Sequence, residues 1–532
     1  MVTSINHAFM QISKRAETNQ RSTLLTTFVD VGPLFTLIST LDHQVIYGRR
    51  GTGKTHALSY LAERREALGD AVVFIDLRNI GSTGGLYSDQ SKSISQRASH
   101  LLIDTLSVIH EAILAFCVTR ADELDLSVTG PLLDHLGDAI TEVRVVGTVE
   151  SEVRSNSSCE RAEESEAGLA MDTGKISLTL KASDKSRESR GHELKRKETG
   201  PEEHRVQFGS VSSALRGLVG AFGARRLWLL LDEWSSLPLD LQPYLADFFR
   251  RSMFGIPGIA VKIAAIEQRS RFRLVGGSGD YTGIELGADA AADLNLDDFM
   301  VFDNDSSRSK HFFEDLLYKH YKSIAQEEPS SGPQSPADLA RLAFTQTPAF
   351  EEFVRASEGV PRDAINILSL AAQRALDDRI STIHVRKAAL DWFQRDKEAA
   401  VRSNPKARIL LHWIIDVVIG ERRARAFLLR SDHSHELVDS LFDSRVLHLL
   451  KRNISARDTP GTRYDAYKLD FGCYVDLIST SKAPLGLLSG YVNGNDVGYI
   501  EIPPDDYRSI RRAILELDEF DKNLEISKSI PF

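Results

Sequence analysis

Gly48-Arg49-Arg50-Gly51-Thr52-Gly53-Lys54-Thr55 fits the Gly-x4-Gly-Lys-Ser/Thr pattern of a phosphate-cradling loop, and its flanks decide the fold. Gln44 to Tyr47 (QVIY) reads as a short buried strand running into the loop, and His56 to Leu68 (HALSYLAERREAL) as an amphipathic helix running out of it. The loop glycines let backbone N–H groups turn inward around phosphate oxygens, and the helix N-terminus beneath adds the positive end of its dipole. In that setting Gly48 to His56 is the phosphate-binding stretch. Lys54 reaches the β and γ phosphates, and the Thr55 hydroxyl ligates Mg²⁺.

A chain of 532 residues is longer than one nucleotide-binding core, so further units are expected. Its 42% hydrophobic and 26% charged residues are ordinary for a globular protein and argue against wholesale disorder. The net charge of −10 gives no overall attraction to nucleic acid, so any DNA-binding surface has to be a local basic patch. The opening MVTSINHAFMQISKRAE has no long apolar core, and the apolar runs read as too short to span a bilayer. The expectation is a cytoplasmic protein without a membrane partner. Cys117, Cys159 and Cys473 are too few and scattered for a disulfide framework or a zinc site.

Strands and helices alternate downstream of the loop. Ala71 to Leu77 (AVVFIDL), Arg226 to Asp232 (RLWLLLD), Val261 to Ile266 (VKIAAI) and Phe299 to Phe302 (FMVF) read as buried strands, and Ile94 to Phe116 as a long helix. This predicts an α/β core with a parallel sheet and helices on both faces. The segment 147–205 is dense in Ser, Glu, Lys and Arg, and reads as a flexible insertion with one short strand at Lys175 to Lys181. From Ser306 to Trp392 the pattern is helical, and the remainder mixes helices with short strands. The predicted divisions are an N-terminal segment 1–24, a nucleotide-binding core 25–304 interrupted by 147–205, a helical lid 305–400, a small α+β domain 404–480 and an extension 481–532.

Binding alone needs only the loop, whereas hydrolysis needs a metal-holding acid and a group that positions water. The strand LWLLLDEW supplies both, with Asp232 at the strand tip for the metal shell and Glu233 to polarise the attacking water.

This pairing, with the strand and helix-start motif downstream of it, resembles the AAA+ ATPases, most closely the origin-recognition-complex-like branch that includes archaeal replication initiators. The resemblance spans residues 25–480. It implies a γ-phosphate sensor after the strand KIAAI, with Gln268 the first candidate and Glu267 the second. That branch commonly carries Asn there. It also implies that Glu358-Gly359-Val360-Pro361-Arg362 is the lid motif whose arginine touches the phosphates. Arg269, Arg271 and Arg273 stand where the superfamily carries the finger presented to a neighbouring subunit. ATP and Mg²⁺ are the implied cofactors, and a homo-oligomer or protein partner the implied assembly.

The same resemblance implies a winged-helix-like domain after the lid. Ala407 to Ile419 reads as an apolar helix, Ala424 to Leu429 as a strand and His435 to Leu441 as a helix. Val446 to Leu450 reads as a strand, Ile454 to Arg463 as a wing and Tyr464 to Leu469 as its return strand. Arg457 and Arg463 would flank the wing tip and meet duplex DNA. Pro503 to Leu517 reads as a docked helix with Ile510, Ile514 and Leu517 on its apolar side. Three functions fit these features. One is an initiator-like ATPase that binds DNA, the second a STAND-like signalling or defence ATPase whose nucleotide state gates a protein contact, and the third a nucleotide-locked scaffold with negligible turnover. The segment Gly283 to Phe299 (GIELGADAAADLNLDDF) finds no place in any of them.

Overall fold

The computed structural model of the chain describes residues 2–15, 21–30, 32–80, 87, 89, 91–141, 143–145, 148–152, 195–199, 202–204, 206–277, 279–297, 306–325, 332–421, 424, 426–431, 435–455, 461–475, 514–518 and 520. Five strands build the central sheet: β1 (Gln44–Tyr47), β2 (Ala71–Asp76), β3 (Leu227–Asp232), β4 (Ile259–Ala265) and β5 (Ala291–Asn295). All neighbours are parallel, in the order β5-β1-β4-β3-β2, so that β4 lies between the loop strand β1 and the acid strand β3. β1, β3 and β4 are buried along their whole length, which is why they read as mostly apolar runs, broken only by Gln44, Asp232 and Lys262. Alternate residues feed two cores. Ile46, Trp228, Leu230 and Ala264 pack with Leu58 and Leu61 of the helix Lys54–Ala67, while Val45, Leu229, Leu231 and Ile263 pack under the helices Ile94–Thr119, Phe208–Ala221 and Gln242–Phe249.

The fifth strand corrects the sequence reading. Phe299 to Phe302 lies outside the described residues, and the sheet edge is instead Ala291–Asn295, inside the acidic segment that had no assigned place. Leu294 and Leu296 are buried there, and two buried leucines among Asp and Ala residues were too weak a pattern to find. At the base of the insertion lie two antiparallel pairs that were not expected there, Val143–Val145 with Glu202–His204 and Thr148–Glu152 with Lys195–Thr199. Their register sets Glu150 against Lys197 and Glu152 against Lys195. The expected strand Lys175 to Lys181 lies outside the described residues. By length and composition alone, the helix Ile94–Thr119 is apolar enough to cross a membrane, which the sequence reading did not anticipate. In the fold it is a core helix, with Leu101, Leu106, Ile109 and Ile113 buried in the core on that face of the sheet.

Residues 306–402 form a helical unit whose core is shared with two other parts of the chain. The N-terminal helix Val2–Gln11 inserts Ile5 and Phe9 into it, and Asn6 Nδ2 donates to the carbonyls of Leu376 (2.7 Å) and Asp378 (2.9 Å) just past the helix Pro361–Ala375. The C-terminal unit contributes Leu411, Phe427, Leu441 and Leu469 to the same core. That unit runs helix Pro405–Ile414, β6 (Ala426–Arg430), helix Glu436–Asp443, β7 (Leu447–Ser455) and β8 (Arg463–Leu469), with an antiparallel sheet in the order β6-β8-β7. One described helix, Glu436–Asp443, separates β6 from β7, in the order read from the sequence. Of the tail, 501–513 lies outside the described residues. Ile514 forms a β-bridge with Leu428 where a helical face was expected, and Leu515 and Phe520 are buried, with Phe520 5.5 Å from Trp413.

Lys262, in the middle of β4, is fully buried, and its Nζ donates to the Asp42 carbonyl at 2.8 Å and to Gln44 Oε1 at 2.5 Å. Burial pushes its pKa down to about 7, against a smaller opposing pull from Asp42. The folded value lies below the unfolded value of about 10.4, so between these limits the unfolded chain holds the extra proton and stability rises with pH. Lys262→Met is expected to flatten that rise, read as urea midpoints at several pH values across the window. An unaltered pH slope would show that Lys262 is charged in the fold.

Candidate functional site

At the carboxyl edge of the sheet lies a cavity of about 320 Å³. It is walled by Arg50, Gly51, Gly53, Lys54, Thr55 and His56 from the loop, by Arg78 and Glu233 from the tips of β2 and β3, and by Pro361, Arg362 and Ile365 from the helical unit. Gly51 (φ 88°) and Gly53 (φ 97°) take the left-handed conformations that fold the loop. Thr52 is buried, and its hydroxyl donates to the Arg49 carbonyl at 2.9 Å. Lys54 Nζ lies inside the loop, donating to the carbonyls of Gly48 (2.7 Å) and Arg49 (2.9 Å). Burial lowers its pKa, while Asp297, Asp232 and Glu233 pull the other way.

β2 and β3 end in register, with Asp76 beside Asp232. Asp232 is buried; its Oδ1 accepts the Glu233 N–H at 2.9 Å, and its Oδ2 has no hydrogen-bond partner among the described residues. Burial raises its pKa, and the neighbouring Thr55 hydroxyl opposes that. Glu233 holds a left-handed backbone (φ 56°), an unfavourable place for a side chain with a Cβ. Arg78, which the sequence reading passed over, grips Asp76 at 2.6 Å and stands 3.9 Å from Glu233 Oε1. Its signal was available, because FIDLR and LLLDE are neighbouring strand tips once the sheet is parallel.

Arg362 comes in from the far side. Its N–H donates to the Gly51 carbonyl at 3.2 Å, after Glu358 (φ 51°) and Gly359 (φ 73°) have turned the chain and Pro361 has opened the helix Pro361–Ala375. Gln268 and Glu267 are not among the residues lining this cavity. The chain leaves β4 in a tight turn, Glu267–Arg269, which puts Ile266 at the cavity and Gln268 in a small recess with Gly48, Arg49, Asn295 and Asp297. Glu267 pairs with Arg452 at 2.5 Å. Of the three following arginines, Arg269 is ion-paired with Asp443, and Arg273 with Glu285 at 2.9 Å. Arg271 is exposed, with no side-chain partner among the described residues.

Two further walls were not foreseen. Ser13, Lys14, Arg15 and Leu24 line the cavity, so the N-terminal segment, outside the expected span of resemblance, belongs to the site. His320 lines it too, nearly buried and pushed down to about 4 by burial and by the neighbouring His56. Arg49 points the other way. It is buried, its N–H donates to Asp297 Oδ2 at 3.0 Å and its Nε to Oδ1 at 2.9 Å, and its guanidinium also donates to His448 Nδ1 and lies 5.8 Å from the Phe442 ring. Arg463 is exposed at the start of β8, and Arg457 lies outside the described residues.

A parallel sheet with a glycine loop after β1 and a buried acid at the tip of β3 defines an α/β core of the P-loop NTPase kind. No family model matches the sequence, and no curated protein matches it. Among solved structures, the chain is similar to the Aeropyrum pernix ORC1 protein in complex with DNA, with 13% sequence identity over 85% of this chain and 93% of that one. The TM-score is 0.27, too low to carry an argument, and the class stands on the sheet order and the loop.

A Cβ on Gly51 would sit 2.7 Å from Arg362 Cβ and 3.2 Å from Val360 Cγ1. Gly51→Ala therefore combines a left-handed strain with a clash, costing about 1–3 kcal/mol. The expected result is a lower urea midpoint together with faster hydrogen exchange at the Arg362 amide. An unchanged Arg362 amide would mean that the helix is not seated on the loop.

Proposed function

We propose that the chain is a AAA+-type ATPase that binds Mg-ATP in this cavity and hydrolyses it slowly to switch conformation or assembly. The observation that carries the reading is the meeting of Lys54, Glu233 and Arg362 around one cavity from separate stretches of sequence, with the buried Asp232 directly behind Glu233 and acting on Lys54. The loop N–H groups and Lys54 hold the phosphates, Lys54 exchanging its carbonyl partners for phosphate oxygens. Thr55 and the unpartnered Oδ2 of Asp232 fit a Mg²⁺ ion, which supplies charge neutralisation at the β and γ phosphates. Glu233, held near Arg78, orients and deprotonates water, and Arg362 stabilises the charge that develops on the γ-phosphate. Leu24, Leu316, His320 and Ile365 form the wall for the base. Arg271 is the arginine best placed to serve a neighbouring subunit's site, because its two companions are already paired within the chain.

For what the switch controls, the geometry favours a gated protein contact. The helix before the wing, Glu436–Asp443, carries Glu436, Asp439 and Asp443 and no Lys or Arg, and its end is turned onto Arg49 and Arg269. A helix of that charge repels phosphate. Duplex DNA at the wing is the second reading, resting on exposed Arg463.

Two measurements test these readings. Lys54→Ala is expected to abolish ATP binding, and Glu233→Gln to keep binding while turnover falls about a hundredfold or more. Unchanged turnover in Glu233→Gln would leave this carboxylate as a strand cap. For the second reading, Arg457→Ala with Arg463→Ala should lower the log–log salt slope of duplex binding by about one unit per lost phosphate contact. A wild-type protein that fails to bind duplex at low salt, with or without ATP, ends it.

A further inference from the structure

The cavity lies between two bodies with separate apolar cores, the α/β core and the combined helical and C-terminal units. The C-terminal unit shares its apolar core with the helical unit, so the two form one packed body. The side-chain contacts from that unit to the α/β core include Arg49 with His448 and Phe442, Arg269 with Asp443, and Arg452 with Glu267, each made by an arginine. None of the C-terminal unit's residues lines the cavity among the described residues. It closes the cleft from behind without blocking it.

Behind that seam runs a buried chain of charges. His448 accepts from Arg49 at Nδ1 and donates from Nε2 to Asp470 at 2.9 Å; Asp470 is ion-paired with Lys397; Lys397 reaches Asp363 at 2.9 Å; and Asp363 accepts from Arg445 at 2.5 Å. Asp363 directly follows Arg362, so the chain runs from the phosphate loop through the C-terminal unit to the arginine that faces the phosphates. We infer that the C-terminal unit is a latch that holds the nucleotide cleft closed and sets the rate at which bound nucleotide leaves. This rests on the reading of the cavity as a nucleotide site. Release requires opening, opening breaks the latch contacts, and weakening the latch therefore multiplies the open population and the release rate by the same factor.

The test is release of methylanthraniloyl-ADP from the full-length protein, with Mg²⁺, chased by excess ADP. His448→Leu keeps Arg49 on Asp297 and Asp470 on Lys397 but removes the link between them, and release is expected to be roughly tenfold faster. Arg452→Glu breaks a half-exposed pair that leaves the cores untouched; release should quicken about two- to fivefold and return to the wild-type rate in Arg452→Glu with Glu267→Arg. A wild type that binds no labelled ADP overturns the nucleotide reading and the latch with it. Wild-type binding with unchanged release in His448→Leu and Arg452→Glu overturns the latch alone, as does a charge swap that fails to restore the rate.

Discussion

Parallel strands end on one edge of their sheet, and that constraint brings the chemistry of this molecule together. β1, β2 and β3 start far apart in sequence, yet their tips deliver the phosphate loop, Arg78 and the Asp232-Glu233 pair to a single rim. The strand between β1 and β3 opens a gap of one strand width, about 5 Å, on each side of its own tip. In the proposed reading a triphosphate would lie across this rim, with the loop on one side and the acids on the other. Asp232 pays for its position with desolvation, leaving one buried oxygen without a hydrogen bond. An acid in that state suits the cation that the proposed reading would place there.

The second constraint is how the remaining polypeptide is fastened to this edge. Arg49 does it from inside the loop, since its main-chain N–H and its guanidinium both bind Asp297 while the same guanidinium meets His448. Burial, with the charge of Arg49, pushes His448 down to about 3, so the ring is neutral and can accept from Arg49 at one nitrogen while donating to Asp470 at the other. Asp470, which burial alone would raise, is held low by Lys397 and His448. Buried charges of this kind are poor sources of stability compared with apolar packing. Their worth is directional, because they fit only one arrangement of the two bodies, and a polar seam separates at less cost than a shared apolar core.

Much of the core was legible, and the reasons differ by element. β1, β3 and β4 announce themselves because a strand buried on both faces is mostly apolar, and the glycine loop because its residue spacing is fixed. Arg362 was legible because Gly359 and Pro361 mark a turn and a helix start. β5 was not, since an edge strand needs only its inward residues, here Leu294, to be apolar. Gln268 was misplaced because one tight turn after β4 swings its side chain to the opposite side of the loop. The N-terminal helix, Asp297 and His448 left no local signature at all, because each acts through a partner hundreds of residues away.

The acidic helix Glu436–Asp443 bears on function in a way its own sequence does not reveal. In an isolated small α+β unit, Glu436, Asp439 and Asp443 would simply be a solvated face. Here Asp443 is committed to Arg269, and Phe442 lies against Arg49, so the end of the helix is a docking tooth against the core. Undocking that end would separate Asp443 from Arg269, adding one free acid to a helix whose Glu436 is already exposed and freeing one arginine on the core. Under the proposed gating reading, such a pair suits a protein partner or a second copy of the same chain, because Arg269 of one molecule can take Asp443 of the next. On a body whose net charge is −10, that exchange is electrostatically easier than drawing in a polyphosphate backbone.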